Sequence, residues 1–254
     1  MDGVGLVIRR ARWAAGFLLF LGASVRAQET VVLVHGILNK PFVMKALERA
    51  LIKEGFAVIN WGYASTEKTI EEYAADLKAD LELRHTTGTL HFVGFSLGSI
   101  ITRYYLAHTP PPNVGRFVQI APPNRGSKWV DRLYTFKAFR WVFGTKAIEQ
   151  LKDGSDFLKN CGVSACPLGI IVGGNGTEAG YNPVLEGDDD GSVALSSAVL
   201  PEAKDVVQVF AEHSLLLASP AVGRYTAAFL RTGKFPADAR RPRQIASTIT
   251  GGSK

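Results

Sequence analysis

Gly94-Phe95-Ser96-Leu97-Gly98 reads G-x-S-x-G and falls where a β-rich run, Thr89-Leu90-His91-Phe92-Val93, gives way to Leu97, Ile100, Ile101 and Tyr104 at helical spacing. A serine on so sharp a strand-to-helix turn takes a strained backbone conformation, and the residues two before and two after it must lack bulk. Gly94 and Gly98 meet that need, and Ser99 keeps the next position small. The stretch has the form of a nucleophile elbow. A chain with 26 glycines can produce the pattern by chance, so the strand and helix on either side carry the inference.

Working outward, Thr30-Val31-Val32-Leu33-Val34-His35 is a continuous β-branched run, as expected of a strand covered on both faces. Asn39-Lys40-Pro41 then opens a helix with Met44, Leu47 and Leu51 on one side, and a second strand is expected over residues 56–61. Thr69-Ile70-Glu71-Glu72 is a capping box, after which Ile70, Tyr73, Ala74, Leu77 and Leu81 hold one helical face. Further buried strands are expected over 116–121, 168–172 and 206–211, and Ser219-Pro220 starts a last helix that ends at Gly233. Strands alternating with helices imply an α/β fold with a mainly parallel sheet and helices on both faces. One stretch breaks the alternation: residues 124–160 hold Trp129, Val130, Leu133, Phe136, Phe139, Trp141, Val142 and Phe143. These are expected either to pack on the body or to form a small helical cap in which Trp129, Leu133 and Phe136 line an acyl pocket.

The two ends differ in character from this body. Arg9, Arg10 and Arg12 precede an apolar run over 13–22 and Val25-Arg26-Ala27, the pattern of a secretory signal peptide spanning 1–27. The run is too short for a membrane span, which needs about 20 apolar residues. The expected destination is the periplasm or the medium, with one domain over 28–233 and a basic, flexible tail over 234–254. The formal charge of +6 belongs to these ends. The leader holds four arginines against one aspartate and the tail five basic residues against one acid, leaving the body one charge negative. A nucleic-acid surface would need a basic face within the domain, so none is expected. Cys161 and Cys166 are the only cysteines, and in an exported protein a disulfide between them is expected; metal binding is not, because no further ligands stand nearby.

A serine hydroxyl is a weak nucleophile until a base takes its proton and a carboxylate orients that base. On an elbow of this type the partners follow the serine in the order acid, then histidine. Only His108 and His213 follow Ser96. His108 ends the elbow helix and is carried away from the serine, whereas His213 lies just past a strand, at the sheet edge where the elbow opens. The loop Gly187-Asp188-Asp189-Asp190-Gly191 offers three adjacent carboxylates at the same edge, and physics alone does not choose among them. His35-Gly36-Ile37 closes the first strand there too. The backbone N–H groups of Ile37 and Leu97 can therefore face a developing oxyanion, at ~10² to 10³ in rate apiece. His35 itself reads as a turn residue, and His85 and His91 as surface and strand-end residues.

Val32-Leu33-Val34-His35-Gly36, the elbow, Ala121-Pro122-Pro123-Asn124-Arg125-Gly126-Ser127, Asp190-Gly191-Ser192-Val193 and His213-Ser214 together resemble the α/β-hydrolase superfamily, in particular its secreted bacterial lipase and esterase branch. The resemblance implies that Asp190 is the catalytic acid beside Ser96 and His213, that Ile37 and Leu97 form the oxyanion hole, and that no cofactor is used. It implies an exported hydrolase of small-molecule or lipid esters, with transient lipid-surface contact through the cap. The same triad could instead serve an acyltransferase, or the chain could be a silent lipid-binding module. The chain departs from the branch at Phe95, where many members carry histidine, and at Ser99, where many carry glycine.

Overall fold

A computed structural model describes residues 29–242. The leader expected over 1–27 and the end of the tail, 243–254, lie outside the described residues. In chain order the elements are β1 (Thr30–Val34), α1 (Lys45–Lys53), β2 (Ala57–Trp61), α2 (Ile70–Leu83), β3 (Leu90–Phe95), α3 (Leu97–His108) and β4 (Val114–Ile120). Four short helices follow: α4 (Lys128–Tyr134), α5 (Lys137–Phe143), α6 (Lys146–Gln150) and α7 (Asp156–Asn160). The chain then returns through β5 (Leu168–Val172), α8 (Leu195–Ala198), β6 (Asp205–Gln208) and α9 (Pro220–Thr232).

The six strands form one sheet in the order β2-β1-β3-β4-β5-β6, with every neighbouring pair parallel. Side chains of a strand alternate between faces, and here both faces are buried. Val32 and Val34 of β1 join Phe92 and the inward residues of α2 and α3 in one core. Val31 and Leu33 join Val93, Phe95 and the inward residues of α1 and α9 in the other. The order steps out from β1 to β2 and then back across to β3, so the carboxyl ends of β1 and β3 flank the point where chain direction over the sheet reverses. In open α/β sheets that crevice is where ligands bind. Ser96 follows β3 directly, and His35 to Ile37 follow β1.

The local rules read from the sequence hold where they are self-contained. Thr69 accepts from the Glu72 backbone while the Glu72 carboxylate accepts from the Thr69 N–H, so the capping box starts α2. Pro220 opens α9 and Gly233, at φ +73°, ends it. Differences arise where distant contacts decide. β6 stops at Gln208 rather than 211, because the chain bends there and Ala211 makes an isolated antiparallel bridge to Gly174. The segment expected to be a flexible tail is packed at least through 242. Phe235 and Ala239 are buried, Gln208 N donates to Arg240 O, and Phe235 N donates to Asp205. The expected disulfide is absent: Cys161 and Cys166 are both free thiols. Cys161 caps α7 with its sulfur in the core, where burial pushes the thiol up to about 11, while Cys166 takes a hydrogen bond from the Ser164 hydroxyl.

Candidate active site

Ser96 sits between β3 and α3 with φ +51° and ψ −121°, a conformation that costs a non-glycine residue of order 1–3 kcal/mol. The surrounding backbone leaves it no alternative. A Cβ on Gly94 would stand 2.4 Å from Ser99 Cα, and one on Gly98 would stand 2.1 Å from Val34 O. Both obstacles are main chain and cannot swing aside. Ser96 N is fixed by Ile120 O at 2.9 Å, and the Ser99 hydroxyl donates to Gly94 O at 2.7 Å. The serine at position 99 thus ties one side of the turn to the other, a contact that a glycine could not make.

His213 begins the 3₁₀ turn after β6, and its ring lies between the other two predicted residues. Nδ1 is 2.7 Å from Asp190 Oδ2, and Nε2 is 3.0 Å from Ser96 Oγ. A carboxylate can only accept, so Nδ1 carries the proton and Nε2 presents its lone pair to the serine hydroxyl. Asp190 is 2% exposed, its Oδ1 accepts from the Ser192 and Val193 amides, and its own carbonyl accepts from His213 N at 2.7 Å. Carboxylate, imidazole and hydroxyl are therefore held in line by backbone on both sides.

The neighbouring carboxylates, indistinguishable in sequence, have other partners. Asp188 accepts from the Asn175 and Gly176 amides and from the Gln208 side chain. Asp189 accepts from the Asn182 and Gly191 amides, and burial raises its pKa. Both brace the loop that carries Asp190, and neither hydrogen-bonds His213.

The turn after β1 is braced in a way that the sequence did not announce. His35 is buried and stacked on Tyr63, with ring centroids 4.4 Å apart. The Tyr63 hydroxyl donates to His35 O at 2.7 Å, and His35 Nδ1 donates to Gly36 O at 2.9 Å. That carbonyl belongs to the same planar peptide as the Ile37 N–H, so pinning the oxygen on one side directs the N–H to the other. Burial lowers the His35 pKa and keeps the ring neutral. Leu97 is the first residue of α3, where backbone N–H groups have no intrahelical acceptor. His91 lies near the amino end of β3, as expected, but it is buried there, accepts from Arg116 N at 3.0 Å, and is driven by desolvation to about 4.

Ser96 and His213 open into a cavity of about 630 Å³, within the range that holds small organic ligands. Its walls include Ile37, Phe42, Val43 and Leu217 from the body and Trp129, Val130, Phe143, Ile148 and Leu151 from the helices after β4. The inserted helices thus both pack and roof the site. Of the three pocket residues expected there, Trp129 is in the wall. Leu133 packs against the core instead, and Phe136 stands on the outer surface at 59% exposure. Phe95, the residue before the serine, touches the site as well, with its ring centroid 5.0 Å from that of His213. Among the described residues no group of three or more potential ligands is placed to hold a metal.

Comparison with known proteins bears on the fold. No protein-family model and no curated protein sequence matches this chain. Solved structures do. The mature lipase BlEst2 of Bacillus licheniformis superposes with a TM-score of 0.63 at 20% identity, over 81% of this chain and 91% of its own. A metagenomic carboxyl esterase gives 0.60 at 19% identity over 91% and 81%, and a Pyrococcus furiosus esterase 0.57 at 17% over 81% and 82%. The fold is the α/β-hydrolase fold.

Proposed function

We propose that this protein is an exported serine hydrolase that cleaves carboxylic esters through an acyl-enzyme. The observation that carries the reading is the unbroken hydrogen-bond chain from Asp190 through His213 to Ser96 at the mouth of a largely apolar cavity. The lipases and esterases among the structural neighbours support it. In the first step His213 Nε2 takes the Ser96 proton as Oγ attacks the ester carbonyl. Asp190 holds the resulting imidazolium. The carbonyl oxygen gains charge and is met by the Ile37 and Leu97 N–H groups. The tetrahedral adduct collapses, His213 returns the proton to the departing alcohol, and the acyl group stays on Ser96. Water then repeats the sequence, with His213 again as base, and frees the acid.

Turnover of p-nitrophenyl butyrate by the purified protein tests this reading, and no release of p-nitrophenolate above the blank would overturn it. The same assay tests the brace behind Ile37. If the Tyr63 hydroxyl positions the oxyanion peptide by holding its neighbour, Tyr63→Phe should lower kcat roughly tenfold, part of the 10² to 10³ that a whole donor is worth, with KM within a factor of two. A rise in KM at constant kcat would mean that Tyr63 serves binding instead.

A further inference from the structure

The cavity at Ser96 straddles the carboxyl edge of the sheet, and its two sides differ in chemistry. On one side Val130, Ile148 and Leu151, with Trp129 and Phe143 packed on them, belong to the core that α2 and α3 cover. That side is roofed by large apolar side chains and suits an acyl chain. On the other side Leu217, with Val43 packed on it, belongs to the core beneath α1 and α9, and the wall is shared by α1 and the 3₁₀ turn His213–Ala218. This second wall includes Lys45 and Arg49 of α1, one helical turn apart and both exposed.

The two cations are not equivalent. Lys45 is answered by Glu48 at 2.8 Å, and the second oxygen of that carboxylate accepts from Asn60 Nδ2 at 2.6 Å. Arg49 has no ion pair, hydrogen bond or ring contact among the described residues. Lys45 and Glu48 cancel, so the wall presents one uncompensated positive charge on a planar fork of donors. A guanidinium is weakly hydrated and pairs with carboxylate or phosphate oxygens two at a time. This wall also lies on the side of the base. His213 must hand its proton to the departing alcohol, and the turn that begins with His213 gives Ser214, Leu217 and Ala218 to the same wall. The alcohol half of an ester therefore belongs here.

We infer that Arg49 selects esters whose alcohol half carries a singly charged anion, a carboxylate or a phosphodiester, while the acyl half lies under the inserted helices. A phosphate monoester, with close to two charges, exceeds what one guanidinium matches. The inference rests on the ester-cleaving reading for the kind of ligand, but it is read by binding. The two therefore fail separately, since turnover of p-nitrophenyl butyrate by the wild-type protein decides the other.

The test is calorimetric titration of the full chain carrying Ser96→Ala, which lacks the nucleophile, with three ligands: 4-butyryloxybenzoate, its neutral counterpart 4-butyryloxybenzamide, and methyl 4-butyryloxyphenyl phosphate. At low salt at least one of the two anions should bind about fivefold more tightly than the amide, as a partly exposed ion pair allows. The preference should shrink as salt is raised. Whichever anion binds more tightly names the group. Arg49→Gln in the same background should erase the preference. Lys53→Gln, which removes the same charge one turn further along α1 and outside the cavity wall, should keep it. Three results would overturn the inference: equal affinity for the anions and the amide, a preference that survives Arg49→Gln, or an equal loss of preference with Lys53→Gln.

Discussion

Replacing Ser96 with alanine is expected to lower kcat for p-nitrophenyl butyrate by about 10⁴-fold or more while KM and the melting temperature hardly move. The size follows from what is removed. Ser96 Oγ is the atom that would bond to the acyl carbon, and its hydrogen bond in the structure is to His213 Nε2. Without it, His213 can only activate water in a site shaped for another attacker, and what remains is catalysis by binding and the backbone donors. Stability should be spared because alanine fits the same φ of +51° no worse than serine and gives up one polar contact. A variant that kept full activity would place the chemistry on some other residue.

The second large effect is expected at the acid. Asp190→Asn should cost about 10³ to 10⁴ in kcat, through the histidine tautomer more than through lost charge. An asparagine has a single acceptor oxygen. With that oxygen on the Ser192 and Val193 amides, as Asp190 Oδ1 is now, its NH₂ would face His213 Nδ1. The ring must then accept at Nδ1 and carry its proton on Nε2, which turns a donor rather than a lone pair toward Ser96. The same change at Asp188 or Asp189 should instead cost about 1–2 kcal/mol of stability, as a charge-assisted hydrogen bond weakens, with kcat within tenfold of wild type. Kinetics and thermal melts of the three asparagine variants, run side by side, distinguish these fates. A kinetic collapse at Asp188 or Asp189 with Asp190→Asn near wild type would move the acid.

The elbow was legible because its constraints are local. Gly94 must lack a Cβ because Gly98 and Ser99 of the same turn crowd it, and the strand and helix around Ser96 follow from a few adjacent residues, although the obstacle at Gly98 is the backbone of β1. The capping box at Thr69 and the stop at Gly233 are equally short-range. The resemblance singled out Asp190, but the residues alone could not: Asp188, Asp189 and Asp190 differ only in which distant amides they meet.

The inserted helices show the same limit. Their apolar content was evident, yet α5 has large side chains on both sides, so the sequence did not say that Phe143 rather than Phe136 would line the cavity. Tyr63 and Phe42 were missed because nothing adjacent marks them. One matters for a carbonyl 28 residues away, and the other for a cavity wall assembled from segments scattered along the chain. The departures from the lipase pattern turn out to have partners: Phe95 lies against the His213 ring, and Ser99 bonds across the turn.

The central claim is that Ser96 is activated by its hydrogen-bond chain, and covalent capture by a fluorophosphonate tests it most directly. Intact-mass and peptide analysis should find one adduct per molecule, on the peptide bearing Ser96, with none on the Ser96→Ala protein and much slower labelling of Asp190→Asn. An unmodified wild-type protein, or an adduct on another serine, would contradict the account.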